Sequence, residues 1–236
     1  MPRLYLVRHG RADSTGEVYD RLTDIGHRQA ELLADYLVSS GVRPDAVYHG
    51  TLQRQRETAE HLTRRRPALS NRFQNTETAS LNEFTPEFWG AMSRKLSALD
   101  QTFAHDLERY LAIRRKGGRR SMVLFLRLTE AIFESWATGM TPEGCESFDA
   151  FENRVLTFTE KLLARKESDT VVVFSSGTPL SIMIARLLGW DRSRSLDWMR
   201  YLQNTSLSVF LPGRAGLSPA AINSLGHLPP DLHTLL

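Results

Sequence analysis

The length, composition and charge of this chain exclude several classes of protein. With 236 residues, 41% hydrophobic and 24% charged, the sequence is long enough for one large α/β domain and is ordinary for a soluble globular protein. A formal net charge of +3 favours anionic ligands in general and does not single out nucleic acid. No apolar stretch approaches the roughly 20 residues that cross a bilayer, so we expect no membrane partner.

The cysteine content and the N-terminus predict a cytoplasmic protein. Cys145 is the only cysteine, which excludes an internal disulfide and fits a reducing compartment. The N-terminal segment RLYLV runs directly into Arg8 and His9, without the charged and apolar regions of a signal peptide. Two basic runs, at 64–66 and 114–120, contain no interleaved aromatic residues, so nucleic acid is not an expected partner.

Strands and helices alternate along the first third of the chain. The patterns predict a strand over Leu4–Val7, a helix that begins after Thr23 and ends at 39–41, a strand over 46–50, a helix over Leu52–Thr63, and a further strand followed by a loop that carries Glu83. This alternation is typical of parallel sheets whose strands are connected by helices.

From about residue 84 to residue 140 the pattern becomes helical. The apolar spacing is strongest in FAHDLERYLAIRR and VLFLRLTEAIFESWA, and Gly117-Gly118 lies between these stretches as a turn. Neither flank has a linker composition. We therefore predict a single domain over residues 1–236 that carries a helical insertion at about 84–140, and we expect this insertion to form a lid over the pocket.

The last third returns to alternating elements. SFDAFENRVLTFTEKLLARK predicts a helix, TVVVF a strand, PLSIMIARLLG a helix and SLSVFL a last strand, after which the tail shows no regular pattern. A continuous apolar strand such as TVVVF is typical of the centre of a parallel sheet. The predicted fold class is α/β: a three-layer α/β/α sandwich with a mostly parallel, doubly wound sheet and a helical insertion.

Three of the predicted strands end in loops that carry polar residues. In open parallel sheets the ligand crevice lies beyond the carboxyl ends of the strands. That rule brings together the loops that contain Arg8-His9, Arg54 and Ser176. Arginine binds phosphate oxygens with a rigid fork of donors, and an imidazole between two guanidinium groups resists protonation. These loops therefore predict an anion site with a neutral, nucleophilic histidine.

Several segments resemble one family. They are LVRHG at 6–10, LTDIGHRQAELLADYL at 22–37, TLQRQRETAE at 51–60, LNE at 81–83, GCESFDAFENRV at 144–155 and LQNTSLSVF at 202–210. In this order they resemble the histidine phosphatase superfamily, also called the phosphoglycerate mutase-like family. The resemblance covers most of the chain, and only the insertion and the tail match loosely. RHG alone is a weak signal, whereas the ordered set is specific.

The resemblance implies a phosphomonoester hydrolase with a phosphohistidine intermediate. His9 would attack phosphorus, Arg8 and Arg54 would bind the phosphoryl oxygens, and Glu83 would protonate the leaving oxygen. The scheme implies no metal and no cofactor, because the arginines supply the positive charge. The expected ligand is a small phosphorylated substrate or inorganic phosphate. A loop carboxylate is often only solvated, so Glu77 and Glu87 remain alternatives for the acid.

Two positions depart from the family pattern. Ser176 stands where the family has a second histidine, and Gly50 stands where serine is frequent. A serine hydroxyl offers one neutral donor to the phosphoryl group, and losing a preorganised donor typically slows a reaction by about 10²–10³. We expect a working but slow phosphatase. The alternatives are a non-catalytic protein that binds phosphate or a phospholigand and, third, a phosphoglycerate mutase-type phosphotransferase.

Overall fold

The chain divides into two compact units. The computed structural model describes residues 1–13, 20–65, 73–114, 118–214 and 216–235. The first unit consists of Met1–Glu83 and Arg154–Leu236, and the second is Phe84–Asn153. Residue 66 of the first basic run lies outside the described residues, as do residues 115–117 of the second run with the predicted Gly117 turn.

A six-stranded mixed sheet forms the centre of the first unit. Its strands are β1 (Arg3–Arg8), β2 (Ala46–His49), β3 (Gln74–Glu77), β4 (Thr170–Ser175), β5 (Leu207–Gly213) and β6 (Gly216–Ser224). Their order in the sheet is β3-β2-β4-β1-β5-β6. Strands β3, β2, β4 and β1 are parallel, whereas β5 pairs antiparallel with β1 and β6 pairs antiparallel with β5. All six residues of β4 are buried, as expected for a central strand.

Eight α-helices occur in the described part of the chain. They are α1 (Asp24–Ser39), α2 (Gln53–Thr63), α3 (Pro86–Leu99), α4 (Gln101–Ile113), α5 (Arg119–Ala137), α6 (Phe148–Leu163), α7 (Gly177–Leu188) and α8 (Arg192–Met199). Helix α1 begins where the sequence predicts, because the Thr23 hydroxyl accepts the Gly26 backbone N–H at 3.1 Å. Helix α7 is capped at its C-terminus by Gly189, whose φ of +69° is the left-handed conformation that glycine adopts without strain.

The core of the first unit follows from the alternation of side chains along the strands. Val47 and Val172 belong to a cluster of buried apolar residues to which α1 contributes Leu33 and α2 contributes Leu62. Tyr48, the next residue after Val47, points to the opposite face of the sheet. There the centroid of its ring lies 5.3 Å from that of Phe158 in α6. Both faces of the sheet are therefore covered by helices.

The second unit is helical and has an aromatic core. Trp136 of α5 is 1% exposed. The centroid of its ring lies 4.5 Å from the ring centroid of Phe88, 5.0 Å from that of Phe148 and 5.1 Å from that of Phe151. The Trp136 Nε1–H donates to the Glu146 carbonyl oxygen at 3.0 Å, so the buried indole keeps a partner. No helix in the described ranges has both the length and the apolar character needed to span a bilayer.

The predicted fold class is confirmed: the chain forms a three-layer α/β/α sandwich with a mostly parallel sheet and a helical unit. Sequence patterns missed α8, which carries few apolar residues, and β6, which contains Pro219. Proline is tolerated at β6 because this strand lies at the edge of the sheet. The tail is also more ordered than expected, since Gln29 Nε2 donates to Leu232 O and Thr234 Oγ1, both at 2.7 Å.

Candidate functional site

All five candidate residues lie at or after the carboxyl ends of the four parallel strands. His9 comes directly after Arg8, the last residue of β1, and Arg54 lies in the first turn of the helix that follows β2. Glu83 follows β3, and Ser176 follows β4. Because these strands are parallel, their carboxyl ends share one edge of the sheet.

His9 is buried and its two ring nitrogens have different partners. The side chain is 7% exposed, and Nδ1 lies 2.7 Å from the Gly10 carbonyl oxygen. A carbonyl oxygen only accepts hydrogen bonds, so Nδ1 carries the proton. Nε2 is then unprotonated, and its lone pair accepts the Arg54 Nε–H at 3.1 Å. Burial, assisted by the charges of Arg54 and Arg8, holds the pKa of His9 well below its usual value.

Close backbone contacts fix the loop that carries His9. The Gly10 backbone N–H donates to Thr58 Oγ1 at 3.0 Å. A Cβ atom on Gly10 would lie 2.6 Å from the Gly26 carbonyl oxygen, and one on Gly26 would lie 2.0 Å from the Arg11 carbonyl oxygen. Only glycine allows this approach, so the loop after β1 rests directly on the first turn of α1.

Arg8 is held by carbonyl oxygens on one side only. Its Nη1 donates to Leu202 O and, at 2.7 Å, to Leu235 O. Its Nε is buried and has no hydrogen-bond partner among the described residues. Burial lowers the pKa of Arg8 to about 10, with Glu83 acting in the opposite direction and Arg54 in the same direction. The Nε–H is therefore a desolvated donor that an anion would satisfy.

Arg54 has an acidic partner that sequence reasoning missed. Its Nη1 pairs with Asp20 Oδ1, and Asp20 Oδ2 accepts the Gln53 backbone N–H at 2.7 Å at the start of α2. Asp20 has a φ of +74°, in the left-handed region that aspartate visits more readily than most residues. Nothing in the local sequence marks this aspartate, because its partners lie 33 and 34 residues further along the chain.

Glu83 and Ser176 meet the beginning of α7. Glu83 Oε2 accepts the Thr178 backbone N–H at 3.0 Å, in the first turn of that helix. Ser176 is the N-cap residue and is 1% exposed, and its Oγ accepts Gln55 Nε2–H at 2.8 Å. Gln55, adjacent to Arg54, is a second residue of the site that sequence reasoning missed.

The other two carboxylates considered from the sequence belong to different elements. Glu77 ends β3, where its Oε2 is 3.8 Å from Arg56 Nη1 and 4.0 Å from His49 Nδ1. Glu87 is in the first turn of α3, in the second unit. Among the described residues, no group of three or more His, Cys, Asp or Glu side chains is arranged to hold a metal ion.

The arrangement combines a neutral imidazole, two desolvated guanidinium groups, a carboxylate and a hydroxyl. The sequence profile described as histidine phosphatase superfamily (branch 1) matches residues 4–120 and 125–224. The chain belongs to the histidine phosphatase superfamily. A comparison with curated proteins gave no match.

Solved structures share the fold of this histidine phosphatase family member. YhfR of Bacillus stearothermophilus is 20% identical, with a TM-score of 0.65 and coverage of 96% of this chain and 99% of that one. The α-ribazole phosphatase of Shigella flexneri is 23% identical, with a TM-score of 0.63 and coverage of 94% of this chain and 96% of that one. The phosphoserine phosphatase of Entamoeba histolytica, in complex with 3-phosphoglyceric acid, is 18% identical, with a TM-score of 0.61 and coverage of 97% of this chain and 100% of that one. At these identities the likeness concerns the fold.

Proposed function

We propose that this protein is a phosphomonoester hydrolase that works through a phosphohistidine on His9. The observation that carries the proposal is the contact between His9 Nε2 and Arg54 Nε at 3.1 Å, on an imidazole whose Nδ1 proton is committed to Gly10 O. An attacking nitrogen has to be unprotonated, and a phosphoryl group needs cations beside it. Both requirements are met at one buried position.

The proposed reaction has two displacements at phosphorus. The His9 Nε2 lone pair forms a bond to phosphorus while the P–O bond to the leaving group breaks, and Glu83 gives its proton to that oxygen. Glu83 then takes a proton from a water molecule that attacks phosphorus, the P–N bond breaks, and inorganic phosphate leaves. For the phosphoryl group to bind, the Arg54 Nε–H has to turn from His9 to a phosphoryl oxygen.

One hydrogen bond and one electrostatic interaction support Glu83 as the acid over Glu77. Glu83 accepts a backbone N–H from the first turn of α7, two residues after Ser176, and its charge acts on Arg8. Glu77 instead lies near Arg56 and His49. We therefore assign the acid to the carboxylate that shares its surroundings with the proposed phosphate-binding residues.

The substrate class we propose is a small phosphorylated metabolite, hydrolysed in the cytoplasm. The solved relatives include a phosphoserine phosphatase and an α-ribazole phosphatase. The substrates in these names are small phosphate monoesters. Ser176 provides a neutral donor where the family pattern has histidine, so we expect turnover to be slow. The lone Cys145 supports a reducing compartment.

Trapping of the phosphoenzyme tests this function. Wild-type protein, mixed with ³²P-labelled small phosphate esters and quenched rapidly, should carry an acid-labile and base-stable label, and it should release inorganic phosphate. His9→Ala should lose both the label and the turnover. His105→Ala removes an exposed histidine of α4 and serves as the matched control with unchanged activity. Phosphate binding without any label on His9 would favour the non-catalytic alternative and overturn the proposal.

A further inference from the structure

A buried glutamine joins the two positions at which the sequence departs from the family pattern. Gln55 is completely buried in α2, and its Nε2 donates to Leu81 O at 3.0 Å and to Ser176 Oγ at 2.8 Å. Because Leu81 O can only accept, the NH₂ end of the amide must face it, and the orientation of the amide is fixed. The second amide proton is directed at Ser176.

The same carboxamide occupies the space beside Gly50. A Cβ atom on Gly50 would lie 1.8 Å from Gln55 Oε1, so no larger residue fits there while Gln55 keeps this conformation. The Oε1 atom is buried and has no hydrogen-bond donor among the described residues. Gly50, Gln55 and Ser176 therefore form one packing unit, and a side chain that extends Ser176 along the direction of its Oγ meets the Gln55 amide.

The hydrogen bond from Gln55 determines what the Ser176 hydroxyl can do. Its oxygen accepts from Gln55, and it makes no capping bond to the backbone of α7. Within the described ranges the hydroxyl proton has no acceptor to which it donates. The hydroxyl proton therefore remains available to a ligand. The site lies beside Arg8, since Ser175 pairs with Arg8 across β4 and β1 and a Cβ atom on Gly177 would lie 4.0 Å from Arg8 Nε.

We propose that Gln55 is a positioning residue that makes Ser176 the hydrogen-bond donor to the phosphoryl group. The inference rests on the proposed function and deepens it. The Gln55–Ser176 pair takes over, with a neutral hydroxyl, the place of the second histidine in the family pattern. Gly50 is part of the same arrangement because its missing side chain leaves room for the carboxamide.

A double-mutant cycle tests the coupling between the two residues. Gln55→Met keeps the length of the side chain but removes the donor, and Leu81 O still accepts the Ser175 hydroxyl at 2.6 Å. We expect kcat for a phosphate ester to fall about 10-fold in Gln55→Met and about 10²-fold in Ser176→Ala. The double variant should resemble Ser176→Ala, because Gln55 acts through that hydroxyl. The proposal would be overturned if the losses of kcat in the two single variants multiplied in the double variant, or if Ser176→Ala kept full activity.

Binding of inorganic phosphate gives a readout that does not depend on turnover. In calorimetric titration, Ser176→Ala and Gln55→Met should weaken phosphate binding, and the double variant should be no weaker than Ser176→Ala. If the wild type forms no phosphohistidine, the proposed function fails, yet the phosphate titration still decides this inference. Equal phosphate affinity in all four proteins would reject it.

Restoring a histidine tests the packing part of the inference. Ser176→His alone should lower the Tm, since the imidazole collides with the carboxamide, and should raise neither phosphate affinity nor rate. Combining it with Gln55→Ala should recover the Tm and increase phosphate affinity several-fold. If Ser176→His gained phosphate affinity without Gln55→Ala, Gln55 would not fill this space, and the proposal would fail.

Discussion

At the residue scale, the protonation state of His9 depends on three neighbouring groups. Gly10 O holds the Nδ1 proton, and burial together with the charges of Arg54 and Arg8 keeps a second proton away from Nε2. A neutral imidazole is thus kept at a position that attracts anions. The same guanidinium groups that discourage protonation would stabilise the charge that develops on a phosphoryl group during transfer.

Substituting the proposed acid should have an effect that depends on the leaving group. In Glu83→Gln the side chain retains its size and an oxygen that accepts the Thr178 N–H, but it has no proton to deliver. We expect kcat/KM to fall about 10²–10⁴-fold with an alkyl phosphate. With p-nitrophenyl phosphate the fall should be smaller, because the nitrophenolate leaves without protonation.

Glu77→Gln is the matched control for this experiment and should leave kcat/KM unchanged with both substrates. Initial rates with the two esters, measured for wild type and both variants, are sufficient. Equal losses with both esters in Glu83→Gln would indicate that Glu83 supports the site in another way, and a selective loss in Glu77→Gln would assign the acid to that residue.

At the element scale, the site depends on how closely the loop after β1 approaches α1. Gly10 and Gly26 bring two backbone segments into contact, and Thr23 both donates to Arg11 O at 3.2 Å and caps α1. The helix therefore positions the loop that carries His9 through backbone atoms. An orientation that is fixed by backbone contact is sensitive to a single added methyl group.

Gly26→Ala should damage both stability and activity. The new Cβ would lie 2.0 Å from the Arg11 carbonyl oxygen, so the loop or the helix has to move. Overpacking of this kind costs about 1–3 kcal/mol of unfolding free energy, and a displacement near 1 Å at His9 lowers the rate about 10²-fold. Urea unfolding and the rate with a phosphate ester measure the two effects.

Gly90→Ala provides the control in a helix. In α3 the nearest atom to an added Cβ is Arg94 Nη1, at 3.6 Å, which is an ordinary contact. Since alanine favours a helix over glycine by about 1 kcal/mol, this variant should be equally or more stable, with unchanged activity. If Gly26→Ala behaved in the same way as Gly90→Ala, the close approach would not matter for the site.

At the scale of the whole molecule, the two ends of the sequence meet in the first unit. Leu235 O accepts from Arg8, and Thr234 Oγ1 donates to Asn204 Oδ1 at 2.9 Å. The last residues of the chain thus help to fix an arginine of the first strand. The helical unit over Phe84–Asn153 forms its own aromatic core. That the chain is a single domain with this helical part as a lid stays a prediction.

The stability of the protein should fall as the pH decreases below about 6.5. Burial lowers the pKa of His227 to about 4, assisted by the charge of His233, and the pKa of His9 is also lowered. In the unfolded chain both side chains bind protons near pH 6.5, whereas in the folded protein they do not. Stability is therefore complete above pH 6.5, and each group removes up to about 1.4 kcal/mol per pH unit below it.

Urea unfolding between pH 7.5 and pH 5, in a buffer without phosphate, measures this dependence. The His227→Asn variant should show a smaller loss of unfolding free energy over the same interval, because one proton-binding group is missing from the unfolded chain. Identical pH dependence in the two proteins would contradict the low pKa of His227. Phosphate has to be excluded because a ligand of the folded state adds stability of its own.

Strand and helix patterns, with one set of ordered motifs, determined the fold class and the identity of the candidate residues. β4 is recognisable because a strand buried on both faces is continuously apolar, and α1 because Thr23 satisfies a free backbone N–H at its start. These are local features, so they can be read before the chain folds. Helix α8 and strand β6 have weak local patterns and were missed.

Only the tertiary structure decided how the site is assembled. Asp20 pairs with Arg54 across 34 residues of sequence, and Gln55 reaches Ser176 across 121. Neither glutamine nor aspartate is marked by a local pattern, because each acquires its role from a partner that packing brings within hydrogen-bonding distance. From the sequence, Gly50 and Ser176 are two separate departures from a family pattern. The fold joins them through one buried carboxamide, since side chains remote in sequence have to share the same space.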